Sequence, residues 1–410
     1  MRRMRAASRR LLVLVACLII LQIAGCAGRS GTPGGNLDWI ELSGQGTSGG
    51  TKVSPVTKAD GSRFKIAVVD IDPDGYTSKL YTGLFEGMKS EGWIEYDEMP
   101  FTYEEIDLKG IVDWLAAQDL GPYIEFSSDC FYYLAYDGED AVRESLKAKV
   151  ESGEVDLIIA AGTWPARVAI EFSDKVPVVA YPLGDAVTSG IVKAYDYSGI
   201  PNVWAQTDPT KYQRQMRVFH EVYNFTDTGT VFYDEAISGY KDYKASCDEL
   251  GINFRTVRVD PLPSNPTDAD LEAFNNNFLD ACRQLVREGI DSFLLTSDMI
   301  KNDDVFAEFM RIFDGAGIPV FVQTGDWVAR GCLLTVSTYD AKELGLFVAN
   351  AIGQILNGAK PEEVLQEYVS TPYLILNMDS AKKLGIMPPF EMLISCEKIY
   401  TSENSSEGAA

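Results

Sequence analysis

The chain has 410 residues, 46% of them hydrophobic and 23% charged, with 60 acidic against 36 basic side chains and a formal net charge of −24. That length exceeds one compact core and fits two domains or one large α/β unit. So acidic a body repels phosphate backbones, which argues against nucleic acid as a partner and otherwise serves solubility.

The chain opens on Arg2, Arg3, Arg5, Arg9 and Arg10, with no acid up to residue 25. Leu11 to Ala24 follow, apolar except for Gln22. A bilayer span needs about 18 or more such residues, whereas the apolar part of a signal peptide needs about 7–15. The run closes on Ile23-Ala24-Gly25-Cys26. This resembles a bacterial lipobox, which implies cleavage before Cys26 and acylation of its sulfur. Residues 1–25 are therefore read as a lipoprotein signal peptide, and Cys26 as the lipidation site. Residues 26–62 are read as the acylated Cys followed by a Gly/Ser/Thr/Pro-rich tether, spanning roughly 30 Å root-mean-square. The expected location is extracytoplasmic, held to a membrane by the N-terminal lipid. Of the other cysteines, Cys130, Cys247, Cys282, Cys332 and Cys396 show no CxxC, no zinc spacing and no disulfide framework. They read as buried small hydrophobes.

From Phe64 onward, short β-branched runs recur at 64–72, 155–162, 176–183, 228–234, 291–298, 318–325 and 332–338. Continuous apolar runs of that length suit strands buried on both faces. Helical patterns separate most of them, at 77–91, 140–152, 165–173, 210–223, 238–250, 268–288, 303–315 and 340–357. Leu80, Leu84, Phe85 and Met88 form one apolar stripe at helical spacing. Strand and helix in alternation predict an α/β fold with parallel, doubly wound sheets. So many strands in two similar passes, about 64–188 and 200–326, predict two sheets rather than one. Residues 95–122 break the rhythm with a helix-like stretch at 104–118 and read as a solvated insertion on the first lobe.

Several stretches then resemble one family. "VDLIIAAGTWPARVAIEFSDKVPVVAYPLGDAVTSGIV", "GIPVFVQTGDWVARGCLLTVSTYDAKELGLFVANAIGQILNGAKPEEV" and "TPYLILNMDSAKKLGIMPP" resemble, in order and spacing, substrate-binding proteins of ABC transporters with the type I periplasmic fold. The similar subgroup includes aromatic amino-acid binders. The resemblance covers about Phe64 to Leu393 outside 95–122. It implies two doubly wound lobes joined by a multi-strand hinge, with crossings near 186–204, 326–330 and 358–370. Lobe 1 is then 63–188 plus 330–358, lobe 2 is 200–326 plus 368–393, and 394–410 is a C-terminal tail. It also implies a monomer that hands a small molecule to an ABC permease, without cofactor or metal.

In open α/β sheets ligands sit outside the carboxyl ends of the strands. The residues there are Asp72 and Tyr76 after the first strand; Gly162, Thr163 and Trp164 after the next; then Tyr181 and Asp185. On the second lobe they are Tyr233, Asp234 and Ser238, Ser297 and Asp298, and Thr324 and Asp326. Gly162 and Thr163 place backbone N–H groups at a helix start, a seat for a carboxylate. Trp164 either stacks on a planar ligand or packs under the lobe. Asp70, Asp72 and Asp74 either form a helix-capping turn or face the ligand; the calcium loop pattern is absent, since position 81 is Tyr81. This set is aromatic, acidic and hydroxyl-rich, and short of Arg and Lys. It suits a ligand with an ammonium group, a carboxylate and an apolar body, an amino acid best; a sugar or nucleobase derivative stays open.

His220 is the only His and falls within a helix pattern, so the parts of a Ser–His–Asp triad and of most zinc sites are missing. Neither GxSxG nor GxxxxGK[ST] occurs. The chain is read as a binding protein and not an enzyme. A tethered sensor reporting to a signalling partner, a lipoprotein with a peptide or protein ligand, and a glycosidase built on paired carboxylates are the other readings.

Overall fold

The computed structural model describes residues 52–402 apart from 74, 104, 235–238, 264–265, 297–298, 324–325, 338–339 and 370–372, and not the side chains of Asp326 and Ser337. The signal peptide, Cys26 and most of the tether lie outside the described residues.

β1 (Phe64–Asp70) runs into the helix α1 (Gly75–Ser90). Next come α2 (Leu108–Ala116), β2 (Ile124–Tyr133), the short α3 (Leu134–Asp137), α4 (Glu139–Ser152), β3 (Leu157–Ala160), α5 (Thr163–Ile170), β4 (Val178–Ala180) and β5 (Val203–Ala205). These strands form one parallel sheet in the order β2-β1-β3-β4-β5. The second half gives α6 (Lys211–Tyr223), β6 (Asp227–Phe232), α7 (Tyr240–Leu250), β7 (Asn253–Arg258), α8 (Asp268–Arg287), β8 (Ser292–Leu295), α9 (Asp303–Ala316), β9 (Val320–Val322), α10 (Asp326–Ala329) and β10 (Leu334–Ser337). After α11 (Ala341–Leu356) come β11 (Tyr373–Asn377), α12 (Met378–Lys383), α13 (Phe390–Ile394) and β12 (Cys396–Tyr400). The second sheet has the order β12-β11-β10-β9-β8-β6-β7, parallel except where β11 runs against β10. The α/β architecture of two doubly wound lobes is thus present, and every anticipated strand run contains a strand.

Beyond the seven runs, β11 falls in the "TPYLILNM" stretch of the family resemblance, and four strands escaped the sequence reading, each for a local reason. In β2 the pairing with β1 jumps from Ile66↔Phe126 to Val68↔Phe131, so residues 127–130 bulge out and scramble the alternation. β7 and β12 are edge strands, partly solvated and carrying Arg255, Arg258 and Lys398 among their residues. β5 is only three residues long.

Three boundaries need correction. Residues 95–122 are not a solvated insertion: Leu108, Ile111, Val112 and Leu115 of α2 are buried in the core that also holds Ile66 and Val68. Their helical spacing buries one face, and Asp107 caps the helix by accepting from the Gly110 N–H at 2.8 Å. Residues 52–62 are not free tether either. Val53 packs on the lobe 1 core, the Asn357 side chain donates to the Ser54 carbonyl at 3.2 Å, and Lys58 pairs with Asp156 at 2.9 Å. Finally, β12 makes residues 396–400 part of the second sheet rather than a tail.

The crossings also lie later than expected. Ile191 and Val192 belong to the lobe 1 core, and β5 pairs with β4, so the chain first leaves lobe 1 between Ala205 and Lys211. It returns between Ser337 and Ala341 and leaves again between Tyr368 and Tyr373. Residue 200, placed in lobe 2 from sequence, is therefore in lobe 1. The first and third crossings pair with each other: Thr207 N–H donates to the Gln366 carbonyl at 2.9 Å, and Tyr368 N–H to the Thr207 carbonyl at 2.8 Å.

α11 returns to lobe 1 and crosses α1 at backbone contact. A Cβ on Gly83 would lie 1.9 Å from the Ala341 carbonyl oxygen, and one on Gly345 would lie 2.1 Å from the Gly83 carbonyl carbon. The anticipated stripe on α1, Leu80, Leu84, Phe85 and Met88, is buried beneath this crossing. Gly83→Ala forces the two helices apart and should destabilise the protein by about 1–3 kcal/mol. Thermal melting followed by circular dichroism checks this; an unchanged midpoint contradicts the close crossing.

Candidate functional site

The carboxyl ends of β1, β3 and β4 gather the lobe 1 candidates. Asp70, the last residue of β1, is buried and its Oδ1 accepts from the Ile71 N–H at 2.7 Å. Burial pushes the phenol of Tyr81 far up, and the Asp70 charge adds to it. Asp72 is exposed, and Tyr76 stands 43% exposed in the first turn of α1.

After β3 the backbone turns at Gly162, with φ 94° and ψ 171°, a region open in practice to glycine alone. A Cβ there would also sit 3.1 Å from Ile71 Cδ1. The turn starts α5 without a side-chain cap, so the N–H groups of Thr163 and Trp164 open the helix with no side chain accepting from them among the described residues. Pro165 has no N–H, and the Ala166 N–H already donates to the Gly162 carbonyl at 3.1 Å. Trp164 is 38% exposed and donates its indole N–H to Glu139 at the start of α4. That contact, with Arg143, holds the Glu139 carboxyl below its ordinary value. Of the two readings of Trp164, packing under the lobe is therefore not what occurs.

Two candidates carry structural bonds. Tyr181 is fully buried; its hydroxyl donates to the Leu80 carbonyl at 2.8 Å, and the Tyr81 hydroxyl returns a bond to the Tyr181 carbonyl at 3.1 Å. The two rings stack with centroids 5.0 Å apart. Tyr181 thus ties β4 to α1. Asp185 is 7% exposed, and its Oδ1 accepts from the N–H groups of Val187 at 3.0 Å and Thr188 at 2.9 Å. That carboxylate builds its own turn.

On lobe 2, Tyr233 follows β6, half-buried against the core, and Asp234 is exposed. Ser238, Ser297, Asp298 and Thr324 lie outside the described residues, as does the Asp326 side chain, although residue 326 opens α10. Trp327 stacks on Phe306 at 4.7 Å with Arg330 over both rings.

The structure adds residues that the sequence reading passed over. Thr296, at the carboxyl end of β8, is buried with no hydrogen-bond partner for its hydroxyl among the described residues. Gln323 is buried at the end of β9. The Gln215 amide of α6 donates to the Gln323 carbonyl at 3.1 Å and the Val336 carbonyl at 3.2 Å, which fixes α6 against these strand ends. Basic groups are also nearer than expected. Arg214 meets Asp208 in a buried two-pronged pair, at 2.6 and 3.3 Å, beside the first crossing. Lys211 next to it is brought down to about 8, by burial first and against the pull of Asp208 and Asp185. Its charge opposes folding at neutral pH, and that opposition fades as pH rises from about 8 to the ordinary lysine value. The Tyr212 hydroxyl reaches across to lobe 1 and donates to the Gly184 carbonyl at 3.0 Å. The signal for this group was the "KYQRQMR" run, which its place in a helix pattern kept from being read with the strand ends.

Two grooves lie elsewhere. One of about 470 Å³ runs between α8 and α9, lined by Asp268, Asn275 and Asp304 among others; another of about 140 Å³ sits at the bulge of β2. Neither touches a strand carboxyl end of the candidate site. His220 is half-buried, edge-on to Phe225 at 5.3 Å, with its pKa lowered by burial. The five described cysteines are free thiols, four of them buried. Burial pushes Cys247 up to about 12 and Cys396 to about 11, which leaves them unreactive.

The family model for the ABC transporter substrate binding protein matches residues 107–399. The chain belongs to this family. It is a family of binding proteins, not of catalysts. A protein from Vibrio cholerae described only as a conserved domain protein has 18% identity and a TM-score of 0.57, covering 82% of this chain and 100% of its own. A domain from Streptococcus, solved with L-Trp, has 20% identity and a TM-score of 0.57 over the same shares. A ligand-free, open substrate binding protein with adhesive properties from Clostridium difficile has 17% identity and a TM-score of 0.58, over 83% of this chain and 100% of its own. These likenesses show the fold, the type I periplasmic binding architecture. No curated protein matches the chain.

The contrast between Tyr181 and Trp164 is measurable. Tyr181→Ala should destabilise the empty substrate-binding protein by about 3–5 kcal/mol, as emptying a packed aromatic site does. Trp164→Ala should cost less than about 1 kcal/mol. Urea denaturation of both variants checks the ranking; the reverse order contradicts these placements.

Proposed function

We propose that this substrate-binding protein captures an amino acid or related small molecule between its lobes, outside the cytoplasm, and delivers it to an ABC importer. The observation that carries the reading is the start of α5. Gly162 starts the helix with two uncapped N–H groups, where a carboxylate gains from both hydrogen bonds and the helix dipole. The exposed Trp164 ring beside them offers a stacking face for an apolar or aromatic body. Asp72 and Asp234 on the two lobes are exposed carboxylates able to receive an ammonium group, and Tyr76 and Tyr233 supply further ring surface. The buried Thr296 hydroxyl at the end of β8 is a further polar contact that lobe closure brings into use. Ser238, Ser297, Asp298, Thr324 and Asp326 complete the proposed set from the second lobe. Membership in the family supports ligand capture, and the L-Trp bound to the Streptococcus domain supports the ligand class.

The lipobox assigns the anchor to Cys26, so the protein works on a lipid tether beside the permease. Cys26→Ser should shift the protein out of the membrane fraction, and retention there after processing contradicts the anchor. For the ligand, the purified protein is melted with a panel of amino acids, purines and sugars, and co-purified small molecules are read by mass spectrometry. An amino acid with an apolar or aromatic side chain should raise the melting temperature, and Trp164→Ala should weaken that effect about tenfold or more in concentration. A panel with no shift and no co-purified molecule contradicts the capture reading.

A further inference from the structure

Lys79 lies on α1 in lobe 1, and Glu397 lies on β12 in lobe 2. Their side chains meet, Nζ to Oε1, at 2.7 Å. No strand or helix joins these two elements directly, so the contact spans the lobe junction. Its surroundings are acidic. Asp340 opens α11 on the lobe 1 side and caps it by accepting from the N–H groups of Lys342 and Glu343. Glu343 accepts from the Tyr368 hydroxyl at 3.4 Å. After burial, the charges of Asp340, Glu343 and Glu397 together push the Tyr373 phenol up, which places carboxylates of both lobes around one ring. Lys79 enters this group from α1, with its ammonium also 5.9 Å from the centre of the Tyr103 ring.

We propose that Lys79 and Glu397 form a clasp between the lobes that acts without ligand and sets how far the empty protein stands open. Neither residue belongs to the strand-end loops that hold the candidate ligand contacts, so the clasp acts on lobe spacing alone. A partly exposed ion pair contributes little to a rigid core, but lobe opening is a balanced equilibrium, and a contact of that strength shifts it about two- to fivefold. Removing the lysine also leaves carboxylates of opposite lobes facing one another, which favours opening further.

The test measures interlobe distance by electron–electron resonance on the mature lipoprotein, with spin labels at the exposed positions Glu151 on lobe 1 and Glu288 on lobe 2. Cys396→Ser removes the partly exposed thiol from the background. Without ligand, Lys79→Glu and Glu397→Lys should each move population to longer distances, and the double swap should restore the original distribution. Salt at 1 M should lengthen the distances of the unswapped protein, because screening acts on exposed pairs. Melting temperatures should stay close together; if Lys79→Glu melts early, Lys79→Gln takes its place. Single variants with an unchanged distribution, or a double swap that fails to restore it, overturn the clasp.

Discussion

The pairing of the first and third crossings at Thr207 sets what the two lobes can do. Its backbone bonds both ways with residues 366–368. On one side this short ladder is locked to lobe 1: the Gln366 amide donates to the carbonyls of Ala194 and Tyr195, both at 2.8 Å, and the Trp204 indole donates to Leu365 at 2.9 Å. On the other side the chain is held to lobe 2 within a few residues, because Asp208 grips Arg214 of α6. Change of lobe angle is thereby concentrated on the short stretches between these two anchor points, as in a hinge. The strand ends of each sheet can then approach one another while the sheets themselves stay rigid.

Rigidity on the lobe 1 side has a second source. The glycine crossing of α1 and α11 brings a helix that follows lobe 2's β10 into the core of lobe 1. The reciprocal bonds of Tyr81 and Tyr181 then fasten α1 to β4. The loops after β1, β3 and β4 are thereby tied to one body, so the contacts proposed for Gly162, Thr163 and Trp164 rest on a rigid base. The charge at the junction works in both senses. Burial raises Asp242 of α7 and Asp185 across the junction raises it further, whereas the same Asp185 attracts Lys211 of α6.

How much of this was legible in the sequence follows from the kind of signal each feature leaves. Runs such as "FKIAVVD" and "LIIA" announce buried parallel strands because both faces are apolar. β12 leaves no such trace, because "CEKIY" alternates weakly at a sheet edge. The helix of 108–116 was visible as a pattern, but its burial was not, since a helical stripe says nothing of what covers it. The start of α5 was readable from Gly162, Thr163 and Pro165 because a turn and a helix start are local events. Tyr181 was misassigned for the converse reason, and the turn that Asp185 builds was equally hidden. A residue just past a strand faces either the cleft or the sheet, and the backbone direction that decides this is set by distant packing against Leu80 and by the turn at 185–188. Lys211 and Arg214 depended on where the chain leaves lobe 1, which β5 fixes through pairing alone.

The central claim is that ligand is held at the strand carboxyl ends of both lobes. Amide hydrogen exchange, compared with and without the amino acid that raises the melting temperature, tests it directly. The account predicts added protection at 71–76 and 161–164 on lobe 1, at 233–239 and 296–299 on lobe 2, and at the crossing 206–211. Protection confined to the groove between α8 and α9, or to one lobe only, contradicts it.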